Sequence, residues 1–203
     1  MAGLRGWLAK RRYGEPVVVV SGLPRSGTSM MMRMLEAGGI PPFTDGERSA
    51  DVDNPEGYYE FQRVMELERD PDKGWVRGAR GRALKVISFL LRFLPDENAY
   101  RIVYMRRNLD EVLVSQDKML DRLGRPAPGG DLEATKEAYR NDIVAARLFA
   151  RKQPNMEMLE VHYAEAIADP LGTARAVNRF LGGTLDEAKM AAAVNEQLYR
   201  NRA

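Results

Sequence analysis

The sequence contains no cysteine, one histidine and no apolar run approaching the roughly 18 residues of a membrane-spanning helix. The first absence excludes a disulfide framework, a thiolate metal site and thiol redox chemistry. Charge of one sign is also scarce. With 31 Lys+Arg against 29 Asp+Glu, the formal net charge is +2, too little for the basic footprint of a nucleic-acid binder. Residues 1–15 carry Arg5, Lys10, Arg11 and Arg12 but no apolar signal-peptide core. They read as a solvated basic lead-in to one domain over 16–203, a cytoplasmic location is expected, and a weak membrane-surface or partner contact is the alternative. At 203 residues and 44% hydrophobic, the chain can bury one core and need not divide.

The most informative segment is a junction. Val17 to Val20 run into Ser21-Gly22-Leu23-Pro24-Arg25-Ser26-Gly27-Thr28-Ser29 and then into a methionine-rich stretch. A β-branched run bounded by Gly and Pro reads as a fully buried parallel strand. The loop after it aims backbone N–H groups and a helix N-terminus at one anion. Gly22 to Gly27 has P-loop spacing, but the lysine expected after the second glycine is Thr28, so an ordinary ATPase loop is incomplete. Arg25 offers a planar guanidinium that clamps two oxygens of a tetrahedral group, and Thr28 and Ser29 add hydroxyl donors, so no metal is required. A strand-to-helix turn using glycine only for tightness is the structural alternative. Met30, Met31, Met32 and Met34 read as core packing of the helix.

A second strand signal, Ile102-Val103-Tyr104-Met105, precedes Arg107-Asn108-Leu109-Asp110-Glu111 and Ser115. Asn108 with Glu111 has the pattern of an N-cap and capping box, so a helix is expected to begin near Leu109. Asn108 to Ser115 spans about 10 Å of helix, within reach of a long arginine at the entry. A surface pairing of Arg107 with a carboxylate, and a packing role for Ser115, is the alternative.

Pro24 to Ser29 resembles the 5'-phosphosulfate loop of sulfotransferases, enzymes that use 3'-phosphoadenosine 5'-phosphosulfate (PAPS). In that family an arginine at a strand end and a serine eight residues later grip the 3'-phosphate, which Arg107 and Ser115 match; Leu109 replaces the usual proline. The resemblance extends to 54–60, 84–86, 161–170, 180–182 and 198–202, and is closest to small bacterial sulfotransferase-like proteins. It implies PAPS as donor, 3'-phosphoadenosine 5'-phosphate (PAP) as product, and binding by Arg25, Ser26, Gly27, Thr28, Ser29, Arg107 and Ser115, with Arg25 and Arg107 at opposite ends of the nucleotide. Arg200, with Arg202, can add a basic cap over the 3'-phosphate, or belong to a frayed tail.

Within that resemblance Arg25 stabilises the transferring group, and Lys85 occupies the place of a strand-end lysine that assists at the bridging oxygen. A lysine that reaches past the strand end to water is its alternative. The histidine that many members carry two residues later is Ile87 here. Another branch uses a glutamate, and Glu60 is the candidate general base, although a carboxylate in a first turn also simply favours a helix. His162 reads as a structural, hydrogen-bonding histidine. Lys73, Arg77, Arg80 and Arg82 around Trp75 form either an anion-attracting cluster or solvated surface.

Strands are expected near 17–21, 84–87, 102–105 and 156–163, with helices near 28–37, 58–69, 109–123, 132–152, 171–181 and 185–194. Strands alternating with helices imply parallel pairing and right-handed crossovers, hence a three-layer α/β/α P-loop-type parallel sheet in a single domain. The irregular stretches 38–57 and 124–131 are expected to border the acceptor pocket.

The function expected is a PAPS-dependent sulfotransferase acting on a hydroxyl or amine of a small-molecule, carbohydrate or lipid acceptor, without nucleic acid or a membrane span. The alternatives are a P-loop kinase or nucleotide hydrolase, which the missing lysine and the lack of an acidic strand end for magnesium disfavour, and a catalytically inactive nucleotide-binding protein. Oligomeric state and acceptor identity are not written in the sequence.

Overall fold

A computed structural model describes residues 12–46, 59–122, 124 and 131–195. Four parallel strands, β1 (Val17–Gly22), β2 (Ala83–Ile87), β3 (Tyr100–Arg106) and β4 (Met156–His162), form one sheet in the order β2-β1-β3-β4. β1 is central and buried along its whole length, as its continuous valines require in a sheet covered on both faces.

Alternation along each strand sends side chains into two cores. One face buries Val17, Val19, Leu84, Val86 and Ile102 against Ile143, Ala146 and Ala150 of helix α3 (Leu132–Lys152) and against 3₁₀ turns at Gly74–Ala79 and Ser88–Phe93. The other face buries Val18, Val20, Val103 and Met105 against helix α1 (Thr28–Ala37), whose Met31, Met32 and Met34 are wholly buried core. Helices α4 (Tyr163–Ala168), α5 (Pro170–Leu181) and α6 (Glu187–Ala192) complete that layer. Helix α2 (Leu109–Arg122) follows β3 directly. The architecture is the three-layer α/β/α arrangement that alternating strand and helix signals imply. Among the described residues no helix is long and apolar enough to cross a membrane.

Helix starts follow their caps. Asp131 accepts from Glu133 N at 2.9 Å, Asp169 accepts from Gly172 N at 2.8 Å with Pro170 in the first turn, and Asp186 accepts from Lys189 N at 3.0 Å. The helix expected over 58–69 is the main departure. Phe61 is extended, and only a 3₁₀ turn forms at Gln62–Glu66, because tertiary anchors hold the preceding residues outside helical geometry. Val64 is buried in this turn, whereas Met65 is exposed. Tyr163, expected to end β4, opens α4 instead.

Glu160 on the β4 edge accepts from Arg106 Nη1 and Arg147 Nη2, each at 2.7 Å. The Arg147 hydrogen bond, followed by that of Arg106, holds this carboxyl below its ordinary value of 4.5. A lowered folded value contributes stability above the unfolded value and loses it as pH falls through that range. The wild-type melting temperature is therefore expected to fall more steeply below pH 4.5 than that of Arg147→Ala, in which one of the two partners is gone. Parallel melting curves by circular dichroism from pH 7 to 3 check this, and identical slopes would contradict it.

Candidate active site

The loop between β1 and α1 has three left-handed backbone positions: Gly22 (φ 146), Arg25 (φ 68) and Gly27 (φ 98). At Gly22 an added Cβ would lie 2.6 Å from the Met105 carbonyl oxygen, so only glycine lets the loop approach β3. Gly27 is the N-cap of α1, and no side chain of the described residues caps that helix. A side chain at Gly27 would strike the Tyr163 ring. Arg25 holds its positive φ without being glycine, a strain of about 1–3 kcal/mol that marks functional turns. Ser26 Oγ is buried with no hydrogen-bond partner among the described residues, inside a loop that leads into an uncapped helix N-terminus. An orphaned hydroxyl beside first-turn amides fits an anion with several acceptor oxygens.

Arg25, Ser115 and Arg107 meet at the carboxyl ends of β1 and β3. Arg25 Nε donates to Ser115 Oγ at 3.0 Å, and Arg107 Nη1 donates to the Arg25 carbonyl at 3.1 Å. The two arginines expected at opposite ends of a nucleotide thus share one cluster in this structure, with the Arg25 guanidinium on Ser115. Arg107 is also gripped from two sides. Its Nε donates to Glu111 Oε2 at 2.8 Å, with both side chains almost fully buried, and its guanidinium carbon lies 4.6 Å from the Tyr163 ring centroid. Burial pushes the Tyr163 hydroxyl up, and Arg107 opposes that shift.

Lys85 and Glu60 meet as well. Lys85 Nζ lies 3.4 Å from Ser29 Oγ and 3.5 Å from Glu60 Oε1, with side-chain exposures of 12% for the lysine and 34% for the glutamate. Lys85 extends from β2 beside Val20 of β1, and Ser29 is the second residue of α1, so the loop, the lysine and the carboxylate converge. Glu60 precedes the 3₁₀ turn rather than starting a helix. Asn108 Oδ1 accepts from Asp110 N at 2.8 Å, which begins α2 at Leu109 as its sequence signal required.

Arg200, Arg202, 47–58 and 125–130 fall outside the described residues. His162 is exposed at the last position of β4, and as the N-cap residue of α4 it makes no side-chain capping hydrogen bond among the described residues. The basic residues near Trp75 are engaged locally: Arg77 pairs with Glu97 at 3.2 Å, Arg80 Nε donates to Asn98 at 2.8 Å, and Arg82 donates to the Pro42 carbonyl at 2.6 Å. Sequence reasoning missed Glu111 as the partner of Arg107, although the i,i+4 spacing was a usable signal. It also missed Tyr163, whose contact with Gly27 leaves no local trace. Among the described residues no group of three or more His, Cys, Asp or Glu side chains is placed to hold a metal ion.

The fold is a parallel α/β sheet of P-loop type, with a glycine-bounded loop after its first strand and two arginines at its carboxyl edge. The model of the sulfotransferase family matches residues 82–187, a little over half of the chain, and the protein belongs to that family. No curated protein matches it. Among solved structures, mouse sulfotransferase SULT7A1 complexed with PAP is similar with a TM-score of 0.51 at 19% identity, covering 88% of this chain and 62% of that one. Sulfotransferase STF1 from Mycobacterium tuberculosis gives 0.54 at 17%, covering 93% and 75%. A retinol dehydratase in complex with androsterone and PAP gives 0.50 at 19%, covering 96% and 68%. At such identities the likeness is one of fold, and the chain spans less than two thirds of the mouse enzyme.

Proposed function

We propose that the protein transfers a sulfuryl group from PAPS to a hydroxyl or amine of a small-molecule, carbohydrate or lipid acceptor, in the cytoplasm, leaving PAP. The observation that carries this reading is the convergence of Arg25, Ser115 and Arg107 beside a loop whose Ser26 hydroxyl has no hydrogen-bond partner among the described residues. Membership of the sulfotransferase family and the fold likeness to PAP-bound enzymes support it.

Sulfuryl transfer is mostly positioning and charge stabilisation, as in phosphoryl transfer. The acceptor oxygen or nitrogen forms a bond to sulfur while the bond from sulfur to the bridging 5'-phosphate oxygen breaks, and that oxygen keeps the electron pair. Ser26, Gly27, Thr28 and Ser29 bind the 5' end through amides and hydroxyls. Arg107 and Ser115 hold the 3'-phosphate, and Arg25 stabilises the transferring group and the departing 5'-phosphate oxygen. Lys85 stabilises charge on the bridging oxygen, and the Glu60 carboxylate removes the acceptor proton. Arg200 is proposed as a further basic contact to the 3'-phosphate.

PAP is expected to raise the melting temperature in the presence of excess EDTA, with ATP giving a smaller shift, as mass-action stabilisation by a preferred ligand requires. Labelled sulfate should then pass from PAPS to at least one member of a panel containing 2-naphthol, a primary alkyl alcohol and a primary amine. A shift with ATP that needs magnesium, and none with PAP, would favour a kinase instead. PAP binding without transfer to any acceptor would favour an inactive nucleotide-binding protein.

A further inference from the structure

We infer that Thr44 and Asp45 are positioning residues that tie the Glu60 backbone to the strand carrying Lys85; the inference rests on the role proposed for Glu60. Two separate chain segments meet at the candidate base. Thr44 Oγ1 donates to the Glu60 carbonyl at 2.6 Å and accepts from Gly46 N at 3.2 Å, and Asp45 Oδ2 accepts from Gln62 N at 2.6 Å. Glu60 is thus bracketed by one hydrogen bond at its own carbonyl and another two residues later.

The clasp is anchored to β2. Phe43 N donates to the Ala83 carbonyl at 2.7 Å and Ala83 N donates to the Pro41 carbonyl at 2.9 Å, so 41–43 runs beside the start of the strand that presents Lys85. The Phe43 ring lies 4.8 Å from that of Phe61, and Phe61 lies 5.0 Å from Trp75, which fixes the residue after Glu60 on its other flank. Before Glu60, Tyr59 has a left-handed backbone (φ 55), and its hydroxyl donates to Glu36 Oε2 of α1 at 2.6 Å. A tyrosine at positive φ persists only where its surroundings over-determine it. These contacts are the anchors that replace the expected helix with an extended segment. They reference Glu60 to α1, which carries Ser29, and to β2, which carries Lys85, the two elements its carboxylate must meet.

The clasp residues are exposed and bond to the backbone at Glu60 and Gln62, so removing them should alter where Glu60 stands rather than what binds the nucleotide. Displacing a reacting group by about 1 Å can cost up to about a hundredfold in rate. The test measures turnover of labelled PAPS with the best acceptor of the panel, and PAP affinity by calorimetry, in wild type, Thr44→Val, Thr44→Ser, Asp45→Ala and Glu60→Gln. Thr44→Val and Asp45→Ala are each expected to lower kcat by about ten- to a hundredfold at unchanged PAP affinity, with Thr44→Ser near wild type.

Rescue by serine separates positioning from loss of packing, since valine keeps the shape and serine keeps the donor. If Glu60→Gln is impaired but Thr44→Val and Asp45→Ala are not, the clasp inference falls and the role of Glu60 stands. If Glu60→Gln turns over normally, the proposed base falls and the clasp with it. Loss of PAP affinity alongside turnover in Thr44→Val would mark general disruption and overturn positioning.

Discussion

Glu60→Gln is expected to lower turnover by roughly 10² to 10⁴-fold while PAP affinity and melting temperature stay close to wild type. The substitution changes little except the capacity to accept a proton. Glutamine keeps the side-chain length and an acceptor oxygen for Lys85, 3.5 Å away in the wild type. The stability cost is small because the pair is partly exposed, and such ion pairs contribute about 0–1 kcal/mol. The residues proposed to hold the 3'-phosphate, Arg107 and Ser115, lie on other elements, so that contact is not touched directly. Turnover of labelled PAPS, calorimetry with PAP and a melting curve together decide the matter. A melting temperature and affinity like wild type with a collapsed kcat assigns the proton transfer to Glu60; a kcat within a fewfold of wild type removes it from the mechanism, leaving the Lys85 contact as a structural pair.

The residues read correctly from sequence were those whose signals are local. The valine run and glycine spacing located β1 and the glycine-bounded loop after it, because strand burial and left-handed turns leave marks on consecutive residues. Helix α3 runs over the expected range, Leu132–Lys152, with Asp131 as its N-cap. Arg107 and Ser115 come together through Arg25, to whose carbonyl and guanidinium they respectively bond. What failed depended on partners far along the chain. The 58–69 stretch has helix-forming composition, yet Thr44, Asp45 and Glu36 bind its first residues in extended or left-handed geometry, and no property of the stretch itself announces those partners. Tyr163 reads as the end of a strand, and its placement against Gly27 and Arg107 arises only once β4 lies beside β3. Glu111 was legible as a helix-start residue, and its pairing with Arg107 gives that position a second role.

That pairing makes Arg107→Ala a demanding experiment with a clear resolution. The Arg107 and Glu111 side chains are 8% and 6% exposed, so deleting the guanidinium leaves a buried carboxylate without its cation. The expected cost is about 3–5 kcal/mol, a large share of the roughly 5–15 kcal/mol that a domain possesses. At about 2–4 °C per kcal/mol for a chain of this size, the melting temperature should fall by roughly 6–20 °C. PAP affinity should also fall, by roughly ten- to a hundredfold, the equivalent of one lost charged hydrogen bond of about 1.5–3 kcal/mol. Weaker binding in this variant alone is ambiguous, because a loosened fold binds poorly for any reason. The double variant Arg107→Ala with Glu111→Gln separates the two causes: neutralising the orphaned carboxylate should recover much of the lost melting temperature, whereas the missing phosphate contact cannot return. Recovered stability with affinity still depressed, measured by calorimetry at low salt, assigns Arg107 to the nucleotide. Affinity recovering in step with stability would make the arginine a structural partner of Glu111 and Tyr163 and would detach the 3'-phosphate from this end of the sheet.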